Sequence, residues 1–573
     1  MSDSSFNTVI VRDSRIQDVS TKLDFKVAKG PAQSNYQQVQ ATSLSKTNIN
    51  FNVVPPSENT IIDRNITVTV KQRIRLSVSE IEVDKYAMSY GNDSALNQFP
   101  FNSLCSNTSI NINQCSNNIN TQDIMHVLLK MSDEEKLRKY NCPHMSDRRF
   151  KSYSDMVLSE SNALGSFNQA KGDIIPRGSH PIEFSIIKTP NAAGANPAVL
   201  HTATEAQILA ALKSAHIDDS WTIDITFETT EPILFMSPFL YGKENNNNAG
   251  LYGVRAMDFV FNLDSSAKRV FCTATAGMTI SLEEIVSAHL NLNYLSCQAS
   301  DLLSSKNVLP HCEYARHITS FNNDVAIAGT GDIVSQSIQF NQIPNRIYIV
   351  ARKPMNAQTI QDSNSFLAIT KISVNFNNVS GILAGATVDD LYNMSVANGS
   401  KQDFYEFLGE ASYTNGIKKS TTGSVLVIDP SRDLNIPDYL SNGSIGQFSF
   451  QANITVKNTD VAILRPELLI IAEYNGLFIT QSGMSTKQTG LLTTDLVVNS
   501  TTSQFGESND YIKSFEHGNG ANINSALKNI PLLNMSKPSG GAKSGSGYSG
   551  GAYSGGAYSG GAYSGGSQLR NLI

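Results

Sequence analysis

The chain has 573 residues, of which 16% are charged and 40% hydrophobic, and its formal net charge is −6. This length predicts two to four domains, and the acidic balance argues against a generally basic nucleic-acid binder of the histone type. No run of about 18 apolar residues is present, and the N-terminus lacks the apolar core of a secretory signal, so we expect neither a membrane-spanning helix nor secretion.

Alternation of apolar and polar residues is the dominant pattern along the chain. The segments Asn48–Val53 and Ile66–Val78 show it first, with apolar residues at every second position. Such alternation, bounded by Gly, Pro, Asn or Ser, predicts half-buried β-strands. Further segments of this kind begin at Ile182, Ile223, Met257, Ile372 and Phe448.

Helix signals are few and short. A cap residue followed by helically spaced apolar residues predicts helices over Thr121–Met131 and Thr387–Asn398, the second ending before Gly399. Weaker patterns predict a short helix from Ser132, which opens a capping box, and another over Ser281–His289. The predicted fold class is therefore all-β, with short helices inserted in loops.

One turn carries a specific sequence signal. Asn475-Gly476 stands between two apolar runs within Glu473–Thr480. Because both residues tolerate a positive φ, this dipeptide predicts a two-residue β-hairpin turn.

The order of segments repeats faintly in the two halves of the chain. An Ile-Pro dipeptide precedes the strands at Ile182–Ile187 and Ile347–Ala351, and each half continues with an alternating strand, a Thr-containing turn and an apolar run. About eight strands in each half predict two tandem eight-stranded jelly rolls, each a β-sandwich. The predicted division is an N-terminal arm over 1–45, a first jelly roll over 46–250, a second over 251–480, a C-terminal extension over 481–536 and a low-complexity tail over 537–573.

The tail consists largely of YSGGA repeats, whose tyrosines are Tyr548, Tyr553, Tyr558 and Tyr563. A composition of Gly, Ser, Ala and Tyr cannot bury a core, so we expect a flexible segment. A spacer is favoured over a tail that contacts other subunits, the genome or a membrane through its tyrosines.

No set of residues has the pattern of an active site. Gly547–Gly551 matches G-x-S-x-G in letters only, because that motif needs a strand–turn–helix context and this one lies in the repeats. The six cysteines form no CxxC pair. The groups at Cys142-Pro143-His144 and at His311-Cys312, with His317, could supply the four ligands of a zinc site only by meeting across the fold, so we favour ordinary loop residues. We therefore predict that the chain is no enzyme, has no catalytic, cofactor-binding or metal-binding residue, and needs no cofactor.

The densest basic cluster lies at 136–151, where three lysines and three arginines are interleaved with aromatic residues. Such a patch is compatible with nucleic-acid binding. Because the chain as a whole is acidic, we favour a polar subunit contact or a solvated loop.

A series of short segments, spread over most of residues 20–480, carries a family resemblance. They are Lys26–Gly30, Asn48–Arg64, Gln98-Phe99-Pro100, Ile124–Leu128, Ile175–Ser179, Ser237–Leu240, Ile343–Lys353, Gly381–Val396 and Tyr474–Gly476. In order and spacing, these segments resemble the double jelly-roll major capsid proteins of Sputnik-type virophages and polinton-like viruses. The resemblance does not extend through the YSGGA tail.

The resemblance implies two tandem jelly rolls in each chain, homotrimers of hexagonal outline, and an icosahedral shell around double-stranded DNA. It implies the function of a major capsid protein that is assembled inside the host cell and resides in the virion. The implied partners are further copies of the chain, minor capsid or penton proteins, a maturation protease, and packaged DNA nearby without sequence-specific binding.

Two other functions compete with this one. A penton or minor capsid protein usually carries one jelly roll, so two comparable halves argue against it. A carbohydrate-binding or adhesive jelly roll usually stacks sugars on exposed aromatic side chains. Trp221 is the only Trp and begins an alternating strand, where we expect core packing.

Two expectations concern order and processing. The arm over 1–45 is polar and weakly periodic, so we expect it to order only on assembly. The resemblance implies a protease that cuts before Gly, in a pattern that Ile327–Gly331 fits, but that segment is predicted to lie between strands. Because proteases need an accessible, extended backbone, we expect any trimming after about Asn534 instead.

Overall fold

The computed structural model describes residues 33–78, 94–132, 182–189, 198–201, 220–239, 250–273, 278–296, 306–360, 366–412, 418–437, 440–459 and 463–490. The rest of the short helix predicted from Ser132, the basic cluster at 136–151, Cys142-Pro143-His144, residues 1–32 and the YSGGA tail lie outside these residues. So does the side chain of Trp221, although its backbone is described.

Strands dominate the described residues, which confirms the all-β class. In the first half they are β1 Gln33–Gln40, β2 Ser43–Leu44, β3 Asn48–Val53, β4 Ile61–Ile62, β5 Thr67–Val78, β6 Ser94–Leu96, β7 Cys105–Ile112, β8 Cys115–Ile119, β9 Ile182–Thr189, β10 Ala198–His201, β11 Ser220–Pro232, β12 Met257–Leu263, β13 Phe271–Thr273 and β14 Met278–Ser296. In the second half they are β15 Asn307–Ser320, β16 Thr330–Val334, β17 Ile338–Gln342, β18 Arg346–Arg352, β19 Ala368–Phe376, β20 Val379–Ile382, β21 Glu410–Ser412, β22 Lys418–Ser420, β23 Leu426–Ile428, β24 Ile445–Lys457, β25 Glu467–Gln481 and β26 Met484–Thr489. The helices are α1 Pro100–Leu104, α2 Thr121–Leu129, α3 Val388–Ala397, α4 Phe404–Leu408 and α5 Pro430–Asp433, with a 3₁₀ turn at Met355–Ala357.

Two antiparallel sheets form the first sandwich. One has the strand order β1-β14-β5-β11-β9-β10, with β4 beside β14, and the other has the order β2-β3-β12-β7-β8. Phe51 and Phe259 from one sheet and Ile74 and Leu76 from the other are buried in a shared core. Burial of such side chains, at about 1.5–3 kcal/mol each, is the main force that closes the sandwich.

The second sandwich is built in the same way. Its sheets have the orders β15-β25-β18-β23, with β26 beside β25, and β16-β24-β19-β20, with β17 beside β24. Phe340 and Phe450 from one sheet and Ile349 and Ile470 from the other share its core. Two tandem sandwiches are therefore present, as the repeat in the sequence predicts.

The pairing favours a different boundary between the sandwiches from the predicted one at 250/251. β12 pairs with β3 and β7, and β14 pairs with β1 and β5, although both strands follow residue 250. Because their partners all belong to the first half, β12 and β14 complete the first sandwich. We therefore propose a boundary between Ser296 and Asn307.

Part of the predicted N-terminal arm also belongs to the first sandwich. β1 pairs with β14 over residues 33–40, and β2 pairs with β3. Most described side chains of β1 are polar and exposed, so backbone hydrogen bonds hold it and its sequence shows no apolar alternation. In the single chain, residues 33–40 and 43–44 are thus in paired strands, which contradicts an arm that orders only on assembly there.

Two of the predicted helices are confirmed as α2 and α3. The side chain of Asn120 accepts a hydrogen bond from the backbone N–H of Asp123 and so caps α2. Thr387 and Asp390 form a reciprocal capping box at the start of α3. Gly399 follows α3 with a φ of 104°, as expected for the residue after a helix.

The helix predicted over Ser281–His289 is wrong, because these residues lie within β14. Two register shifts interrupt the pairing of this part of β14 with β5. Each bulge displaces the alternation by one residue, so Leu282, Ile285 and Ala288 all contribute to the first core. Their spacing of three residues imitates a helix in the sequence.

The hairpin turn predicted at Asn475-Gly476 is also wrong. Both residues continue β25, which pairs with β15 along this stretch and with β26 from Gly476 onward. The turn lies at Ser482-Gly483, where both residues have a positive φ. Gly476 instead allows close packing, because a Cβ there would lie 2.0 Å from the carbonyl oxygen of Gln488 on β26.

β25 separates two cores. Leu468 and Ile470 belong to the core of the second sandwich, whereas Leu469 and Ile471 belong to the core of the first. A strand that is buried on both faces needs a continuous apolar run, which LLIIA supplies at 468–472. The sheet β15-β25-β18-β23 therefore closes the second sandwich with one face and packs on the first sandwich with the other.

Candidate functional site at the junction of the jelly rolls

Helix α2 of the first sandwich carries a carboxylate into the junction with the second. Asp123, in the first turn of α2, accepts hydrogen bonds from Arg352 on β18 and Arg316 on β15. Arg352 also donates through Nε to Oε1 of Glu467 at 2.6 Å. Arg352 is 2% exposed and Asp123 is 5% exposed, so these charges must neutralise one another within the protein interior.

The other end of α2 makes a second ionic contact with the second sandwich. Lys130, the C-cap residue, donates to the carboxylate of Glu406 on α4 and to Oγ1 of Thr422. Thr422 in turn donates to Oε1 of Glu406 at 2.7 Å. Because both ends of α2 are fixed, movement of one sandwich against the other would separate buried charges from their partners, which is strongly unfavourable while they stay buried.

Two further basic side chains lie near these pairs. Arg269 donates to the carbonyl oxygen of Gln122 at 2.9 Å and to Oε1 of Gln358 at 2.8 Å. Burial, together with the charge of Arg352, lowers the pKa of Arg269 to about 9. Burial, together with the charge of Arg269, also lowers the pKa of His126 well below its ordinary value, so His126 is neutral at pH 7.

Sequence reasoning did not single out these junction charges. A signal was present, because Arg352 and Glu467 each stand at one end of an apolar strand. A charge at such a position must be paired or exposed. The partner of Arg352 on α2 could not be inferred, since Asp123 lies 229 residues away in the chain.

The Cys/His group at His311-Cys312 lies on β15 at the same junction. Because neighbouring residues on a strand point to opposite faces, His311 and Cys312 do not converge on one point. Across the described ranges, no group of three or more His, Cys, Asp or Glu side chains could hold a metal ion. The same ranges contain no helix that is long and apolar enough to cross a membrane.

The outward face of the sheet β2-β3-β12-β7-β8 is rich in uncharged amides, and we call it the first amide face. Asn48, Asn50 and Asn52 of β3 alternate with core residues and lie in rows with outward residues of the neighbouring strands. Asp258 is the carboxylate in these rows, and its Oδ1 accepts from Nδ2 of Asn52 at 2.6 Å. The other outward side chains are Asn107, Ser109, Asn111, Ser116, Asn118, Val260 and Asn262.

A similar face, the second amide face, lies on the sheet β16-β24-β19-β20. Ser449 and Gln451 of β24 alternate with core residues, and Gln451 lies opposite Asn375 of β19. The outward face of the sheet containing β5 differs, since it carries paired charges such as Arg75 with Asp224 at 2.7 Å. Each sandwich thus presents one outward sheet face in which uncharged polar groups predominate.

Comparison with known protein families gives two matches along the chain. Residues 4–305 match the family model described as Sputnik virophage major capsid protein 1st domain. Residues 314–476 match the model described as major capsid protein V20 C-terminal domain. The gap between the two matches lies close to the boundary that the strand pairing favours.

Individual relatives agree with these matches. The putative capsid protein V20 of Sputnik virophage is 24% identical over 522 residues, covering 86% of this chain and 81% of that protein. The cryo-EM structure of the Sputnik virophage contains a similar chain with a TM-score of 0.68 and 23% identity, covering 82% of this chain and 90% of that one. The crystal structure of the mavirus major capsid protein gives a TM-score of 0.60 at 14% identity, covering 81% of this chain and 92% of that one.

Proposed function

Because the chain belongs to the Sputnik virophage major capsid protein family, we propose that three copies of it form a capsomer of hexagonal outline. A major capsid protein is a structural component of the virion capsid and not an enzyme. Two sandwiches in each chain, repeated around a threefold axis, place six similar blocks in a ring. Such rings would tile an icosahedral shell around double-stranded DNA.

The junction between the sandwiches is the observation that carries the proposal. A hexagonal outline requires a constant angle between the two sandwiches of every copy. Two features oppose a change of that angle. The sheet β15-β25-β18-β23 packs on the first sandwich with its outer face, and buried ion pairs hold both ends of α2, namely Asp123 with Arg352 and Lys130 with Glu406. Two domains in one chain move relative to each other by default, so contacts of this kind are needed to hold the angle constant.

We place the contacts between copies on the two amide faces. Uncharged amides and hydroxyls cost less to remove from water than charged groups, and they can both donate and accept hydrogen bonds. The side chains of Asn52 and Asn118 on the first amide face are exposed in the single chain and can make such bonds with a neighbouring copy.

Mass measurement and negative-stain microscopy of the purified full-length chain test the trimer. The expected result is a particle of three chains with a hexagonal outline. A monodisperse monomer at the concentrations used for shell assembly would contradict it.

A matched pair of substitutions tests the amide faces. Asn111→Lys places an unpaired charge on the first amide face and should reduce trimer or shell formation about tenfold or more, with an unchanged melting temperature. Thr279→Lys on the outward face of β14 is the control and should leave assembly unchanged. If both variants assembled equally well, the contacts between copies would not lie on the first amide face.

We propose that minor capsid or penton proteins and a maturation protease contact the assembled shell. Packaged DNA would lie nearby without specific binding, since a net charge of −6 does not favour a tight complex with phosphates.

A further inference from the structure

A cavity of about 180 Å³ lies between the two jelly rolls, and we call it the junction cavity. The first sandwich lines it with residues of β8 and of the segment after β11, and the second lines it with residues of β15 and β25. An engineered apolar cavity of about 150 Å³ holds a benzene molecule, so this one has room for a ring with one substituent.

Two buried polar side chains line the junction cavity with atoms that have no hydrogen-bond partner. Asn117 is 3% exposed, and neither its Oδ1 nor its Nδ2 has a partner. His311 is 1% exposed; its Nε2 faces Oε1 of Glu313 at 3.4 Å, and its Nδ1 has no partner. Leaving such groups unpaired in the interior is costly, so the pair marks a place that an occupant completes.

The three remaining atoms, Oδ1 and Nδ2 of Asn117 and Nδ1 of His311, define the chemistry of that occupant. Because the Nε2–H of a neutral imidazole donates to a facing carboxylate, Nδ1 is left as an acceptor, whereas an amide offers donors at nitrogen and acceptors at oxygen. A ligand that both donates and accepts can pair with all of these groups, as a primary carboxamide does. A carboxylate only accepts and an ammonium group only donates, so each would leave some of the atoms unpaired.

The surroundings favour an uncharged ligand with an apolar body. Glu313 at the rim is already neutralised by Lys487, whose Nζ lies 2.5 Å from Oε1. The rest of the described lining is mixed. The aromatic and aliphatic side chains are Ile119, Phe235, Met236, Tyr314, Ala315 and Tyr474, and Asn118, Ser237 and Cys312 lie among them.

We propose that the junction cavity binds a small uncharged ligand that carries a primary carboxamide on an apolar body. The carboxamide pairs with Asn117 and His311, and the apolar body lies against the aromatic side chains. Because the cavity is lined by both jelly rolls, a bound ligand strengthens the contact between them and raises the melting temperature. This inference is independent of the proposed trimer, since all described lining residues of the cavity belong to one chain.

Benzamide is the probe, and calorimetry and ligand-observed NMR on the full-length chain measure its binding. Benzoate and benzylamine have the same ring and nearly the same shape but carry a charge. Benzamide is expected to bind and to raise the melting temperature, with the two charged probes about tenfold weaker or worse. Failure of benzamide to bind at millimolar concentration, with only ordered water in the cavity, would overturn the proposal.

Substitutions locate the site. Asn117→Leu keeps the size of the side chain, removes its polar atoms and should fold normally, yet it should weaken benzamide binding about tenfold or more. Ser116→Ala on the exposed side of the same strand is the control and should leave binding unchanged. If Asn117→Leu binds benzamide as tightly as the unaltered chain, the ligand lies elsewhere and the proposal fails.

Discussion

The guanidinium group of Arg352 on the second jelly roll is ion-paired with the carboxylate of Asp123 on the first, although both side chains are almost completely buried. Arg352 also binds Glu467, and Asp123 also binds Arg316, so two cations and two anions form one ion-pair network across the junction. A buried ion pair seldom adds much net stability over an apolar replacement. Its strict geometry makes it suited to fixing how two domains meet.

Removal of one charge from this ion-pair network should be strongly destabilising. Asp123→Asn keeps the shape of the side chain but leaves Arg352 with one counter-charge in a buried site. We expect a loss of about 3–5 kcal/mol in the free energy of unfolding, measured by urea denaturation.

The exposed pair of Arg465 and Asp324 provides the matched control. Its side chains are 59% and 56% exposed, so Asp324→Asn should change the unfolding free energy by about 0–1 kcal/mol. Similar losses for the buried and the exposed substitution would show that the junction charges are not energetically coupled.

Gly476 should tolerate no side chain. A Cβ at this position would meet the backbone oxygen of Gln488 at 2.0 Å, so Gly476→Ala must push β26 away from β25. We expect a loss of about 1–3 kcal/mol and faster hydrogen exchange in β26. Gly385→Ala is the control, because no atom lies within 4 Å of its Cβ position and its φ is not positive.

Much of the fold could be predicted because most strands have one buried and one exposed face. The alternation at Asn48–Val53 and at Met257–Leu263 coincides with β3 and β12. The errors arose where tertiary contacts decide the backbone. In β14 the bulges produce a helix-like spacing, and at Gly476 the close approach of β26 requires glycine in a strand.

The junction was less predictable than the strands, for a physical reason. A buried ion pair is recognised only when both partners are known, and Asp123 and Arg352 are distant in the sequence. The unpaired state of Asn117 and of Nδ1 of His311 likewise depends on which residues surround them. Sequence patterns report the face of a strand on which a residue lies, but not what lies opposite it.

The stability that Glu313 contributes should depend on pH below neutrality. The adjacent His311 and Lys487 lower the pKa of Glu313 to about 2, from an ordinary value of 4.5. Because the folded state holds the proton less tightly, this contribution is complete above about pH 4.5 and is lost as the pH falls towards 2. The melting temperatures of the unaltered chain and of Glu313→Gln should therefore differ most near pH 6 and converge near pH 2.

A constant difference across this range would show that Glu313 does not titrate with a lowered pKa. Lys487→Gln removes one of the two neighbours that lower it. In that variant the convergence should begin at a higher pH.

For proteolytic trimming, Ile327–Gly331 is the best match to the expected cleavage pattern. Ile327 is 55% exposed, so its side chain is accessible. The backbone, however, is held in a turn in which Gly329 N–H donates to the carbonyl of Ala326 at 2.9 Å. Val325 just before the turn is paired with Leu464, and Asn458 N–H donates to the carbonyl of Gly329.

A protease needs several residues in an extended conformation, and extension of this turn would break those hydrogen bonds. We therefore expect the turn to resist cleavage in the folded chain, and any trimming to occur after about Asn534. Intact-mass spectrometry of mature particles measures the outcome. A chain of 62.2 kDa would mean that no trimming takes place. Fragments that end near residue 330 would show that exposure of Ile327 outweighs the hydrogen bonds that hold the turn.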